Sequence, residues 1–298
     1  MHFCLSLSNG MASCVSLMYT LLAAVAVLGV SGNPASPFRP RVIGGVEVFN
    51  RCRSPHNSIV ALQFTSTNGP VTFCSAVMLT ESYLVTSGFC IAQIKTLADI
   101  PLVAVIGERD MLGTDVGEQR IAIANFTSHR LYNDVTLDYN IGLIRLAKPA
   151  VLSNCVQPAL KMETDASACI DVDKSCIMMG WGPYAEITVP TNSRLLRSAN
   201  VTVLGSFVTD IMSVSKRGTK APVGTLFAEG LNLGNKACFF DWGGLVSCQR
   251  NGKYVLQGII GDHNCNSQQW TPILVSNMEF FQTWIDLCLA NWSACPNL

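Results

Sequence analysis

The sequence predicts an all-β protein, and two observations carry this prediction. Short apolar segments rich in Val, Ile, Leu and Thr recur between clusters of Gly, Pro, Asn and Asp: SIVALQF, VTFCSAVML, YLVTSG, LVAVIG, QRIAIANF, NIGLIRL, ANVTVL and KYVLQGII. Most are too short for helices, and several alternate apolar with polar residues. In addition, Asn251-Gly252 separates two such runs, and this pair favours a type I′ hairpin turn because both central residues need positive φ.

One helix is clear from the pattern, and it lies at the end of the chain. In MEFFQTWIDLCL the residues Phe281, Trp284, Ile285 and Cys288 repeat at helical spacing. No internal repeat and no low-complexity region interrupts the rest. The sequence therefore predicts a large β unit that is followed by a single C-terminal helix.

The beginning of the chain predicts a signal peptide over residues 1–32. The apolar run SLMYTLLAAVAVLGVSG, 16–32, ends in small residues, and it is shorter than the roughly 20 residues that span a bilayer. No Lys or Arg precedes it, and Met11 is an alternative start. A retained anchor segment is the alternative to cleavage near Gly32. No later segment is long and apolar enough to cross a membrane.

Composition bounds the mature protein. Removal of the signal peptide leaves about 266 of 298 residues, enough for one large β unit or two small barrels. The net charge is +0, so nucleic acid is not an expected partner. Two of the 13 cysteines fall in the signal segment, and the other eleven have spacings unlike a zinc module. They indicate disulfides and an oxidising compartment. Three sequons, at Asn125, Asn200 and Asn291, fit a secreted glycoprotein.

Five stretches resemble, in order, the motifs of the chymotrypsin and trypsin family of serine proteases. They are RVIGG (41–45), TSGFC (86–90), HRLYNDVTLDYNIGLIRL (129–146), CIMMGWG (176–182) and DWGGLVSC (241–248). The resemblance implies two six-stranded antiparallel Greek-key barrels with a C-terminal α-helix. It also implies a short propeptide, 33–41, and a trypsin-like domain, 42–298, separated by a cleavage site between Arg41 and Val42.

The three positions that match the catalytic triad of this family hold Phe89, Asn140 and Trp242. Phe89 cannot accept a proton, Asn140 carries no charge, and Trp242 offers only an indole N–H donor. Loss of a whole triad costs a factor of about 10⁶ in turnover, or about 8 kcal/mol. Asp138 is no substitute, because it lies about 6.5 Å from Asn140 along the strand. We therefore expect no catalytic residue.

The substrate groove also departs from the family pattern. Backbone N–H groups of Trp242 and Phe240 occupy the oxyanion positions, and phenylalanine replaces a glycine that adopts such conformations freely. Lys236 stands at the base of the specificity pocket, and Ile273 replaces a glycine of its wall. We expect the isoleucine to fill the slot.

One element of the activation mechanism is kept. By resemblance, Asp241 forms a buried ion pair with the new ammonium group of Val42 after cleavage, in a zymogen-like manner. Breaking one half of such a pair costs about 3–5 kcal/mol. The alternative is that Asp241 stays solvated.

The resemblance implies three disulfides, Cys74–Cys90, Cys176–Cys248 and Cys238–Cys265. Five further cysteines have no partner by resemblance: Cys52, Cys155, Cys169, Cys288 and Cys295. An odd number indicates a free thiol or a bond to another chain.

The segment GERDMLGTDVGEQ, 107–119, resembles the calcium loop of the family. The implied ligands are the side chains of Glu108, Asp115 and Glu118 and carbonyls near Asp110 and Gly113. A solvated acidic loop is the alternative. Any calcium here is structural, and no cofactor is required.

The sequence thus predicts a secreted serine protease homologue that is not an enzyme. It would act by binding an extracellular protein, a protease or its precursor, as an adaptor, cofactor or decoy in a proteolytic or defence pathway. Two alternatives stay open: an active endopeptidase with a rebuilt site, and a bulk extracellular structural glycoprotein.

Overall fold

The computed structural model describes residues 45–67, 69–97, 99–161, 172–182, 193–230, 237, 241–262 and 272–295. The signal peptide, the propeptide and the cleavage site between Arg41 and Val42 lie outside these residues. Within them, no helix combines the length and the apolar character that crossing a membrane requires.

The first barrel closes from six antiparallel strands. After a two-residue strand, β1 (Val46–Glu47), its members are β2 (Ile59–Ser66), β3 (Gly69–Met78), β4 (Tyr83–Thr86), β5 (Leu102–Ile106), β6 (Gln119–Ser128) and β7 (Gly142–Leu146). The closed order is β2-β3-β4-β7-β6-β5. Apolar side chains from every second position fill its interior, such as Val60, Leu62, Ala76 and Met78.

The second barrel follows the same plan. Its strands are β8 (Val172–Gly180), β9 (Arg197–Leu204), β10 (Thr225–Gly230), β11 (Leu245–Arg250), β12 (Lys253–Asp262) and β13 (Ile273–Asn277). They are ordered β9-β10-β13-β12-β11-β8, and a β9–β8 pairing closes the ring. β1 pairs with Arg197 and Ser198 at the start of β9, outside the residues of β9 that pair with β10. The predicted architecture of two six-stranded barrels is confirmed.

The helical prediction is only partly right. The C-terminal helix, α3 (Met278–Ala290), is confirmed, with Phe281, Trp284, Ile285 and Cys288 buried. Two further helices, α1 (Gly88–Thr96) and α2 (Ser206–Arg217), were not predicted. α1 begins where the Ser87 side chain accepts from the Cys90 N–H, and α2 ends at Gly218 with φ 72°. The apolar residues of α1 do not form one face in the sequence, whereas Phe207, Val208, Ile211 and Met212 of α2 recur at helical spacing, a signal that the prediction did not use.

The eight predicted segments all lie in strands, and the predicted hairpin is confirmed. Asn251 and Gly252 connect β11 to β12 with φ values of 48° and 76°, and Arg250 pairs with Lys253 across the turn. These are the positive angles that a type I′ turn requires.

Four disulfides join the described residues. Cys74–Cys90 and Cys176–Cys248 are confirmed. Cys52–Cys155 and Cys288–Cys295 resolve four of the five cysteines that had no assigned partner. Cys169 and the implied pair Cys238–Cys265 lie outside the described residues. If that pair forms, Cys169 is the odd cysteine.

Candidate functional site

The fold brings the three triad positions together. Phe89 lies in the first turn of α1, Asn140 lies just before β7, and Trp242 precedes β11. The rings of Phe89 and Trp242 are in contact, with centroids 4.5 Å apart and planes inclined by 44°. Both are half-buried and pack against the core of the first barrel. An aromatic pair therefore occupies the place where this resemblance expects a hydroxyl and an imidazole.

Asn140 is held by hydrogen bonds from both barrels. Its side chain is nearly inaccessible, with 4% of the residue exposed. Oδ1 accepts from the N–H of Phe89 at 3.0 Å, and Nδ2 donates to the carbonyl of Gly261 at 2.9 Å. Its own carbonyl accepts from the hydroxyl of Ser276. A carboxylate has no donor for Gly261, so the amide is specifically required by this arrangement.

Tyr132 covers the start of α1 beside the aromatic pair. A Cβ placed on Gly88 would lie 2.7 Å from the Tyr132 ring, so the residue before Phe89 must be glycine. Burial, together with the charges of Asp134 and Asp262, raises the pKa of Tyr132 to about 12. Tyr132 lies within the motif 129–146 that also contains Asn140, but nothing in that motif indicated that its ring packs on Gly88.

Neither described histidine is placed to act as a general base. His129 stacks on Tyr139 with ring centroids 4.7 Å apart, and its Nδ1 accepts from the Leu131 N–H. His56 has a buried Nδ1 without a hydrogen-bond partner. His263 lies outside the described residues. No hydrogen bond joins either described imidazole to a hydroxyl or thiol of the described residues.

Asp138 is also engaged away from the triad positions. Its two carboxylate oxygens accept from the N–H of Val223 at 2.6 Å and from the hydroxyl of Thr136 at 2.6 Å. These contacts leave the Asp138 carboxylate unable to replace a triad aspartate.

His129 makes stability sensitive to acid. Burial lowers the pKa of His129, and the charge of Arg130 lowers it further. The folded protein then binds a proton less readily than the unfolded chain, so this contribution is complete above about pH 6.5 and is lost as the pH falls through the folded pKa.

We therefore expect a smaller loss of stability between pH 7.5 and pH 5 in His129→Phe than in the wild type. Phenylalanine keeps the ring contacts with Tyr139 and Trp284 but does not titrate. Urea denaturation at each pH measures the difference. An equal loss in both proteins would contradict the assignment. Arg130→Gln keeps the imidazole but removes a charge that lowers its pKa, so it should lessen the loss without abolishing it.

Asp241 is fully buried, which rules out the solvated alternative. Its exposure is 0%, and Oδ1 accepts from the N–H of Gly182 at 2.8 Å. A Cβ on Gly180 would lie 2.1 Å from Oδ1, and a Cβ on Gly182 would lie 2.3 Å from Oδ2. The two glycines thus form a close-fitting site for the carboxylate. Val42, the implied ion-pair partner, lies outside the described residues.

The groove positions are described only in part. Gly243 has φ 76°, and a Cβ there would lie 1.9 Å from the Ser75 carbonyl. The N–H of Ser75 in turn donates to the Trp242 carbonyl at 2.8 Å, which fixes the backbone at Trp242. Ile273 is 5% exposed and belongs to the apolar cluster that contains Ala237. Lys236 and Phe240 lie outside the described residues.

The acidic loop brings its three carboxylates together. One oxygen from each of Glu108, Asp115 and Glu118 lies within 4.8 Å of the other two, and Oε1 of Glu108 is buried without a hydrogen-bond partner. Burial, together with the charges of Glu118 and Asp115, raises the pKa of Glu108 to about 7. An unpaired oxygen among converging carboxylates fits a hard cation.

The remaining implied ligands differ in their availability. The Asp110 carboxylate pairs with Arg194 through two contacts of 2.6 Å. Only the backbone carbonyl of Asp110 therefore remains as a candidate ligand for an ion. That carbonyl accepts from the Gly113 N–H at 2.8 Å. Oδ2 of Asp115 accepts from the N–H groups of Arg109 and Asp110. Oδ1 lies 3.7 Å from Nε of Arg109, so an ion at this oxygen would compete with that ion pair.

The three sequon asparagines, Asn125, Asn200 and Asn291, are all exposed. Oδ1 of Asn291 accepts from the hydroxyl of Ser293, the third residue of its own sequon, at 2.7 Å. All three sites are accessible to a glycan.

Comparison with known proteins settles the family. The family model described as Trypsin matches residues 45–285, which include both barrels and most of α3. The chain belongs to the trypsin family. Its trypsin-family relatives include Chymotrypsin-like elastase family member 1 of Macaca fascicularis, 25% identical over 280 residues, which are 92% of this chain and 99% of the relative. The human protein of the same name is 25% identical over 256 residues, 84% of this chain and 93% of its own. Trypsin-1 of Salmo salar is 27% identical over 232 residues, 76% of this chain and 85% of its own.

Proposed function

We propose that this trypsin-family chain is a secreted protein without proteolytic activity that acts by binding another extracellular protein. The contact between Phe89 and Trp242 at 4.5 Å carries the proposal. Acyl transfer in this family needs a hydroxyl nucleophile, an imidazole that takes its proton and a carboxylate that fixes the imidazole. None of these groups stands at the three positions.

The arrangement of Asn140 supports the same proposal. Its amide bonds to Phe89 and Gly261 as a structural link, a role that a triad carboxylate could not fill. A protease of this family that lacks all three triad groups is expected to turn over substrate more slowly than the intact enzyme by a factor of about 10⁶.

The first test is direct. Recombinant protein, cut and uncut after Arg41, is incubated with a fluorophosphonate probe and with peptide esters, beside an active trypsin as positive control. We expect neither labelling nor turnover above that of a heat-denatured sample. Stoichiometric labelling of a serine would favour the alternative of an active endopeptidase with a rebuilt site.

We propose a protease or its precursor as the partner, in an extracellular proteolytic or defence pathway. The relatives are named as elastase and trypsin proteins, and a protein of the same fold that lacks the chemistry can serve as adaptor, cofactor or decoy. Four disulfides and three exposed sequons support an oxidising, extracellular setting.

The second test separates this role from that of a bulk structural glycoprotein. Immobilised cut and uncut protein is exposed to extracellular fluid, and captured proteins are titrated individually. Saturable nanomolar binding of a protease or precursor supports the proposal, whereas no discrete partner favours the structural alternative. Partners that bind only the cut form would support regulation through Val42 and Asp241.

We also propose a structural calcium ion in the loop of Glu108, Asp115 and Glu118, whose oxygens converge within 4.8 Å. Calcium at a hundredfold excess over its Kd is expected to raise the free energy of unfolding by about 2.7 kcal/mol. Glu118→Gln should abolish most of this gain, and the exposed Glu81→Gln should not. The measurement is thermal unfolding with calcium and with chelator. Equal unfolding in both conditions would contradict the site.

A further inference from the structure

Arg51 places a positive charge in a buried position beside the acidic loop. Only 6% of the residue is exposed. Its Nη1 donates to the Cys155 carbonyl at 2.8 Å, and its Nη2 donates to the Val116 carbonyl at 2.6 Å. An arginine side chain stays protonated in proteins. The guanidinium therefore carries a full charge at a position that water hardly reaches, and one of its hydrogen bonds ends in the acidic loop.

The guanidinium also lies close to the backbone at both ends of this loop. A Cβ on Gly107 would lie 2.8 Å from Nη2 and 3.0 Å from Nη1, and a Cβ on Gly117 would lie 4.0 Å from Nη2. These two glycines and Val116 each adjoin, in the sequence, one of the three carboxylate residues of the proposed ion site: Glu108, Asp115 and Glu118. The positive charge is thus one residue away from each of the three negative charges.

The carboxylates act on Arg51 through their charge and not through direct contact. Burial lowers the pKa of Arg51, and the charges of Asp115, Glu108 and Glu118 oppose this lowering. Among the described residues, no ion pair within 4.0 Å includes Arg51. Arg51 therefore compensates the negative charge of the loop while its nitrogen atoms leave the carboxylate oxygens available to an ion.

Two other arginines that face the loop are held less firmly. Nε of Arg109 lies 3.7 Å from Asp115, and Nη1 of Arg120 lies 3.5 Å from Glu118. The side chains of these arginines are 28% and 42% exposed. Ion pairs with this much access to water contribute little, so both side chains can turn towards solvent when an ion binds. Arg51 lacks that freedom because it is buried.

The anchoring of Arg51 keeps its charge in place. The next residue, Cys52, is bonded to Cys155, and the Cys155 carbonyl is one of the two acceptors of the guanidinium. The side chain cannot turn away without leaving a buried charge unpaired, which is costly. An ion that enters the loop therefore meets a fixed positive charge, and the loop is tied to this segment whether or not an ion is bound.

We propose that Arg51 is a fixed internal counter-ion of the acidic loop, which keeps the loop closed without a metal and weakens its affinity for calcium. This inference rests on the calcium site proposed above and concerns the residue that sets its affinity. Like charges repel more strongly in poorly hydrated surroundings than in water. Extracellular calcium modules have Kd values of about 10⁻⁴–10⁻³ M, and we expect the wild type at or above the upper end of this range.

The first experiment titrates calcium chloride into the mature protein and follows thermal unfolding, whose dependence on calcium gives the Kd. Arg51→Gln removes the charge and is expected to lower the Kd at least tenfold. Arg51→Lys keeps the charge but loses the paired hydrogen bonds. Its Kd should stay within about threefold of the wild type, although its stability in chelator should fall. Arg53→Gln removes an exposed charge from the same segment and should change neither quantity.

The possible results separate the role of the charge from the existence of the site. An equal Kd in Arg51→Gln and the wild type would overturn the counter-ion and leave the calcium site intact. An equal decrease in Kd in Arg51→Gln and Arg51→Lys would assign the effect to lost hydrogen bonds, and would also overturn it. Stabilisation of Arg51→Gln alone would support the counter-ion and remove calcium from the wild type. No calcium effect in any variant would overturn both proposals.

A measurement on the wild type gives an independent result if Arg51→Gln does not fold. Hydrogen exchange of the amides in residues 107–119 is compared in chelator and in excess calcium. A loop that Arg51 keeps closed should be protected in both conditions, with exchange rates that differ by less than about tenfold. Amides that exchange freely in chelator and become protected only with calcium would overturn the proposal.

Discussion

Gly180→Ala is expected to lower the free energy of unfolding by about 4 kcal/mol. The added methyl group would lie 2.1 Å from Oδ1 and 3.2 Å from the Cα of Asp241, so rotation of the carboxylate alone gives no relief. Overpacking costs about 1–3 kcal/mol, and displacing a buried charge from its partners costs about 3–5 kcal/mol. These costs overlap because both follow from the same displacement.

Equilibrium denaturation measures the change, with an unaltered m-value as evidence of a native-state effect. Gly113→Ala is the matched control. The nearest atom to its new Cβ would be 3.5 Å away in Asp110, an ordinary contact, and the loss should stay within about 0.5 kcal/mol. A loss below about 1 kcal/mol in Gly180→Ala would show that the glycine does not shape the Asp241 site.

Restoring Phe89→His, Asn140→Asp and Trp242→Ser together is expected to give weak esterase activity. The new triad would still act in a groove that keeps Phe240 and the buried Ile273. Loss of one oxyanion donor costs about 10²–10³ in turnover, so we expect activity lower than that of an active relative by at least this factor. Peptide-ester hydrolysis measures it, and activity equal to that of an active trypsin would refute the proposed groove defect.

The same variant should be less stable by at least about 3 kcal/mol, because it removes the aromatic pair and leaves a cavity. Asn140→Asp alone separates the two effects. It loses the donor to the Gly261 carbonyl, so we expect a loss of about 1–3 kcal/mol and no activity. Asn154→Asp, at an exposed asparagine whose contact to Asn57 uses only the backbone carbonyl, is the control for the added charge.

The local sequence pattern was sufficient to predict eight of the strands and one hairpin turn. Alternation of apolar residues located eight strands, and Asn251-Gly252 located a hairpin because few residues tolerate positive φ at both positions. α2 was not predicted, although Phe207, Val208, Ile211 and Met212 recur at helical spacing. The structure places Met212 against the core and leaves Ile211 exposed, so only part of this apolar stripe is buried.

The sequence predicted which residues form the site, but it did not predict the contacts between them. Motif register identified Phe89, Asn140 and Trp242, since each is flanked by recognisable neighbours. The packing of the two rings, and the link from Asn140 to Gly261 across 121 positions, depend on how the two barrels approach each other. Nothing local in the sequence encodes that approach. The partners of Cys52 and Cys155 escaped prediction for the same reason.

The link through Asn140 bears on ancestry. Under the proposed function, Phe89, Asn140 and Trp242 each contribute packing or hydrogen bonds to the fold. A substitution of any one of them by the triad residue would therefore weaken the fold without restoring catalysis. A stepwise return of the three triad residues would thus lower stability at each step before any activity is gained. Under the proposed function, a lineage carrying this cleft is therefore expected to diversify through its outer surface.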